Sequence, residues 1–156
     1  SLVFTENGKS PNEDSIHLLS LKTGDVVAIA GSESMCCPRW SPDGRYIAAI
    51  RNFSQGLTLF DFTTQKWQVL NTEIINFMTW SRDGKTLYFD TFLQSDPAFY
   101  RVRMNDLKIE RLLSLKSLRR AQGVFGPWCG LAADESPLTL RDAGTRDIYA
   151  LEWQAR

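Results

Sequence analysis

The sequence predicts an all-β fold, built of short strands in repeated four-stranded units. Three observations carry that prediction. A Trp-Ser-x-Asp-Gly turn recurs at a spacing of 40 residues, paired apolar runs recur at nearly the same period, and several of those runs are apolar on both faces. At 156 residues the chain is long enough to bury a core.

The turn is the sharpest signal. Cys37-Pro38-Arg39-Trp40-Ser41-Pro42-Asp43-Gly44-Arg45-Tyr46-Ile47-Ala48 aligns with Phe77-Met78-Thr79-Trp80-Ser81-Arg82-Asp83-Gly84-Lys85-Thr86-Leu87-Tyr88. Asp-Gly between apolar runs marks a hairpin, because its turn needs a positive φ that glycine adopts without a Cβ clash. A third copy, Leu131-Ala132-Ala133-Asp134-Glu135-Ser136-Pro137-Leu138-Thr139-Leu140, keeps Asp134 at a spacing of 51 from Asp83. It has Leu131 where the others have Trp, and Glu135 where they have Gly. The 11 surplus residues are assigned to a loop insertion over residues 116–126.

The paired runs follow. Residues 16–21 and 26–30 flank Lys22-Thr23-Gly24-Asp25; residues 57–62 and 67–70 flank Thr63-Thr64-Gln65-Lys66; residues 99–104 and 109–115 flank Asn105-Asp106-Leu107-Lys108. Their turns lie 41 and 42 residues apart. Residues 46–50 and 57–60 are apolar on both faces, so sheets must cover them on both sides. Sheets stacked face to face at a period of about 40 to 45 residues make a β-propeller.

The blades fall approximately at residues 1–31 (partial), 35–71, 75–115 and 128–156 (partial), forming one propeller region over residues 1–156. The first lacks its innermost strand. The last offers strands at 130–133, 138–141 and 148–153 and stops before a fourth. The total is about three and a half to four blades, where closed rings have about 4 to 8. A longer propeller, a second copy forming a homodimer, or a compact internal closure would each complete it.

Trp-Ser-Pro-Asp-Gly followed by an apolar strand resembles the TolB-type, WD-repeat-like propeller blade, and the resemblance covers nearly the whole chain. It implies a non-catalytic protein-interaction or ligand-sensing propeller. Such blades often follow a winged-helix DNA-binding or kinase module, which implies the C-terminal part of a larger bacterial transcriptional or signalling regulator. The same resemblance allows a TolB-like periplasmic scaffold, or a propeller that filters substrates for a serine peptidase. The odd cysteine count favours a reducing, cytoplasmic compartment, with a periplasmic one as the alternative.

Chemistry is less legible. Lys plus Arg and Asp plus Glu balance at 18 each, so no global field points to nucleic acid, and no apolar run approaches the roughly 20 residues of a membrane helix. No catalytic, metal-binding or cofactor motif occurs, so no such residue is assigned, and the expected partner is a protein or small ligand. Trp40, Ser41, Asp43, Gly44, Trp80, Ser81, Asp83, Gly84 and Asp134 are expected to be structural. The acids would order their turns and the two Trp would pack between blades. Between Arg101 and Arg120, seven positive and two negative residues could attract phosphate. Arg alternating with apolar residues in Tyr100-Arg101-Val102-Arg103-Met104 instead reads as a half-exposed strand, although residues 107–120 also fit an amphipathic helix. His17 has no poised nucleophile beside it. Cys36, Cys37 and Cys129 are expected to be buried, inert thiols, with one of the vicinal pair able to face Cys129. The loops at 91–97 and 116–126 are the expected contact surfaces.

Overall fold

The computed structural model describes residues 1–51, 55–92, 95–124 and 126–145. A first sheet holds β1 (Leu2–Glu6), β2 (Ser15–Leu19) and β3 (Val26–Ala28) in that order, with a 3-10 turn at Pro11–Glu13 between the first two. Seven strands then pair in chain order: β4 (Met35–Trp40), β5 (Tyr46–Arg51), β6 (Gln55–Asp61), β7 (Lys66–Trp80), β8 (Thr86–Thr91), β9 (Ala98–Arg103) and β10 (Ile109–Ser114). Two small hairpins follow, β11 (Gln122–Gly123) with β12 (Gly126–Pro127), and β13 (Cys129–Leu131) with β14 (Pro137–Thr139). The expected last strand at 148–153 lies outside the described residues.

The seven-stranded sheet is two four-stranded units joined through β7. The part of β7 from Lys66 to Ile74 pairs with β6, and the part from Ile75 to Trp80 pairs with β8. The blade bounds 35–71 and 75–115 place a break between two strands here. The backbone instead stays extended across the join and changes partner where the register shifts, a bulge bending the strand.

Strand alternation divides the apolar side chains among three cores. Ile47, Ala49 and Phe60 face the first sheet, packing with Ile16, Ile29 and Met35. Ala48, Ile50, Leu57 and Leu59 face the next unit and meet Ile75, Met78, Leu87, Phe89 and Val102. Tyr88 and Phe99 point onward to Leu115 and Cys129. Odd and even positions of β5 and β8 thus serve different neighbours, which is why residues 46–50 of β5 carry no polar face. Each fully buried Leu, Ile or Phe contributes about 1.5–3 kcal/mol against exposure. These sheets can be stable only as a stack.

Most of the arginines in the basic stretch are paired with carboxylates. Glu110 receives Arg101 at 2.8 Å and Arg103 at 2.7 Å, Arg111 pairs with Asp96 at 2.6 Å, and Arg119 with Asp142 at 2.9 Å. Residues 109–114 form β10, so the helical alternative over 107–120 does not hold. The ladder to β9 puts Glu110 opposite Arg101, a pairing that a helix would lose.

Among the described residues, five carboxyls lie below their ordinary values of 3.8 for Asp and 4.5 for Glu. Asp61 is held down by its bond from Arg45, Asp83 by the Lys85 N–H, Asp96 by the Ser114 hydroxyl, Glu110 by Arg101 and Asp134 by the Ser136 hydroxyl. A depressed folded value contributes stability that is present above the unfolded value and is lost as pH falls through the folded one. Asp90, pushed up by burial, acts in the opposite sense. Urea titrations are therefore expected to give a level unfolding free energy from about pH 5 to 7 and a decline below about pH 4. A rise in stability below pH 4 would contradict this assignment.

Candidate functional site

The repeated turns form one hydrogen-bond lock. The Ser41 hydroxyl donates to Asp43 Oδ1 at 2.5 Å and accepts the Tyr46 N–H at 2.8 Å, and Asp43 Oδ1 accepts the Arg45 N–H at 3.1 Å. Ser81, Asp83, Lys85 and Thr86 repeat it at 2.8, 2.9 and 3.0 Å. Gly44 and Gly84 hold φ of 76° and 70°. In the third copy Asp134 accepts the Ser136 N–H at 3.1 Å and its hydroxyl at 2.7 Å, and the closing bond from Ala132 N–H to the Ser136 carbonyl comes one residue earlier. Glu135 keeps the left-handed backbone at φ 65°, and its carboxylate accepts the Arg82 N–H and the Tyr88 hydroxyl, each at 3.3 Å. The side chain that replaces glycine ties the third turn to the second.

Two stability tests follow from the lock. A Cβ on Gly44 would meet nothing within 4 Å, so Gly44→Ala is expected to cost only left-handed backbone strain, about 1–2 kcal/mol in urea unfolding. Ser81→Ala leaves the Thr86 N–H without its acceptor, for an expected loss of about 1–3 kcal/mol in the same measurement.

Trp80 bridges two units: its Nε1–H donates to the Arg39 carbonyl at 3.0 Å, and its ring stacks on Tyr46 at 6.4 Å. Trp40 donates within its own turn, to the Gly44 carbonyl at 3.0 Å, and stacks on Phe62 at 5.5 Å. None of the nine turn residues lines the cleft described next.

That cleft, about 580 Å³, lies where the first sheet, the seven-stranded sheet and the β11–β12 hairpin meet. Thr5 comes from β1, Asp14 from the loop after the 3-10 turn, Cys36 and Cys37 from β4, Ile50 from β5, Asn76 from β7 and Gly126 from β12, with Asn7, Phe92 and Val124 at its margin. The walls mix apolar surface with a few polar groups, the usual makeup of a small-ligand site. Asn76 is fixed by donating to the Pro127 carbonyl at 2.6 Å, and Gly126, at φ 90°, fits because a Cβ there would lie 2.9 Å from Asn76 Oδ1. A smaller hollow of about 230 Å³ shares Cys37, Ile50 and Asn76.

The cysteines depart from the sequence reading. Only Cys129 is buried; Cys36 is half-buried and Cys37 exposed, and their sulfurs face each other at 3.2 Å rather than facing Cys129. The cause is a bulge. The ladder shifts register between Cys36 and Arg39, and Cys37 takes φ 57°, so the alternation that separates neighbouring side chains fails there.

His17 lies 2.9 Å from Glu6 and 3.0 Å from the Ser15 hydroxyl. Both contacts are to Nε2. The ring therefore cannot take the Ser15 proton at one nitrogen while a carboxylate orients it through the other.

The insertion over 116–126 is more than a loop. It carries β11, and its Arg120 donates to buried Asp90 at 2.7 Å, to the Cys129 sulfur at 3.5 Å and to the Thr91 carbonyl at 3.3 Å. Asp90 also accepts the Phe77 N–H at 2.9 Å, yet burial outweighs these contacts and raises its carboxyl above the ordinary value.

No protein-family model and no curated protein matches the sequence. Solved structures do match the fold. TolB from Acinetobacter baumannii aligns at TM-score 0.60 and 16% identity, over 85% of this chain and 34% of that one. The tricorn protease aligns at TM-score 0.61 and 14% identity, over 85% and 13%. The β-propeller domain of the Trilobed protease from Pyrococcus furiosus, which has an open velcro topology, aligns at TM-score 0.57 and 22% identity, over 70% and 37%. The fold is therefore that of a partial, TolB-like β-propeller. The chain spans about a third or less of the length of these neighbours.

Proposed function

We propose that this chain is a non-catalytic binding module, part of a larger β-propeller whose cleft receives a small ligand or a short segment of a partner protein. The convergence of the first sheet, the seven-stranded sheet and the β11–β12 hairpin on one mixed polar and apolar cleft carries this reading. The pairing of the Arg101, Arg103, Arg111 and Arg119 charges argues against direct nucleic-acid contact by this region. The module's place at the C-terminal end of a bacterial transcriptional or signalling regulator rests on the blade resemblance alone. A TolB-like scaffold and a peptidase's substrate filter are the other settings that the resemblance allows.

Fragment screening by heteronuclear NMR tests the binding role. Shifts are expected to cluster on Thr5, Cys36, Asn76 and Gly126 and to vanish in Asn76→Trp, which fills the cleft. Hits scattered over the turns, or unchanged in that variant, would reject the cleft as the site. Light scattering tests the assembly: a mass near 17.7 kDa is expected for part of a longer propeller, and a doubled mass would indicate two copies completing one ring.

A further inference from the structure

We propose that Cys36 and Cys37 form a two-thiol modification site on the wall of the cleft, at which a small-molecule disulfide is reduced as the pair closes to a vicinal disulfide. Three features of the geometry point there. The sulfurs lie 3.2 Å apart on the same side of the strand. Cys37 is exposed, and both thiols face the cleft, which gives a small reagent access. The residues also sit in the register break of β4: Cys36 pairs with Ile50, the next ladder pair is Arg39 with Ala48, and between them the Cys37 N–H donates to the Thr5 hydroxyl at 3.1 Å. Local rearrangement of Cys37 therefore breaks no ladder pair.

The two sulfurs take different parts. The Cys36 thiol hydrogen-bonds the Cys37 sulfur and stabilises its thiolate, lowering the Cys37 thiol to about 7, with a further contribution from the positive charge of Arg39. Burial and the Asp14 carboxylate oppose this. The same hydrogen bond raises Cys36, which stays protonated. Cys37 is then the nucleophile, since the thiolate is the reactive form. Its sulfur attacks one sulfur of the small disulfide, forms a mixed disulfide and expels one thiolate. Cys36 attacks the Cys37 sulfur, expels the second thiolate and gives up its proton to it. Two protein thiols are oxidised, one disulfide is reduced to two thiols, and no other reactant is needed.

Oxidised glutathione is the probe, applied to the full chain and read by intact mass and by the tryptic peptide over residues 23–39, which carries both cysteines. The folded chain is expected to lose two hydrogens and retain no glutathione. Cys36→Ser is expected to stop with one glutathione on Cys37. Cys37→Ser is expected to react at least about tenfold more slowly, and Cys129→Ser at the wild-type rate, because the Cys129 thiol is buried and raised. Glutathione retained on wild-type Cys37 would overturn the proposal, as would reaction at Cys129 at a rate similar to Cys37. Closure as fast in urea as in the folded chain would also overturn it, since the fold would then contribute nothing to the pairing.

Discussion

Arg120→Met is expected to destabilise the protein by about 3–5 kcal/mol, the usual cost of leaving one member of a buried ion pair without its partner. Side-chain exposure is 5% for Arg120 and 0% for Asp90, so water cannot replace what the substitution removes. The informative comparison is with the double variant Arg120→Met with Asp90→Asn. The amide oxygen of asparagine can still accept the Phe77 N–H, and no charge remains to be desolvated, so most of the loss should be recovered. Urea unfolding of both variants decides it. A single-variant cost below about 1 kcal/mol would mean that solvent reaches this pair after all.

Phe89→Ala should cost a similar amount, about 3–5 kcal/mol, by a different mechanism. Phe89 is fully buried in the core between the second and third units and stacks on Tyr100 at 5.1 Å. Truncation loses transfer free energy and leaves a cavity in a wall made of two sheets. Phe89→Leu keeps most of the volume and should lose much less, while Val69→Ala, on an exposed position of β7, should stay within about 0.5 kcal/mol of wild type. If Phe89→Ala were as mild as Val69→Ala, the two units would not be packed through this residue.

These two sites differ in how visible they are in the sequence. Phe89 sits in the strand that follows the second Asp-Gly turn, so the repeat alone places it within a sheet. The Ser-x-Asp-Gly lock is visible for a similar reason: its bonds join residues at most five apart, so side-chain chemistry and spacing determine it. Asp90 and Arg120 are 30 residues apart, and nothing local distinguishes Arg120 from the other cations between Arg101 and Arg120. The cleft was hidden too, because Thr5, Cys37, Asn76 and Gly126 are brought together only by stacking. The cysteine reading failed at one backbone angle. Alternation holds for a regular strand, and the left-handed φ of Cys37 removes it. In the third repeat Glu135 takes a glycine's conformation because its carboxylate gains partners that glycine lacks.

The uninterrupted course of β7 limits how the protein can move. A connecting loop can act as a hinge, but an extended strand bonded to one unit along its first part and to the next along its second transmits displacement along its length like a tendon. The second and third units should therefore swing as one piece. Any breathing that admits a guest to the cleft has to come from the flanks: the three-stranded sheet that carries Thr5 on one side, and the small hairpins that carry Gly126 on the other.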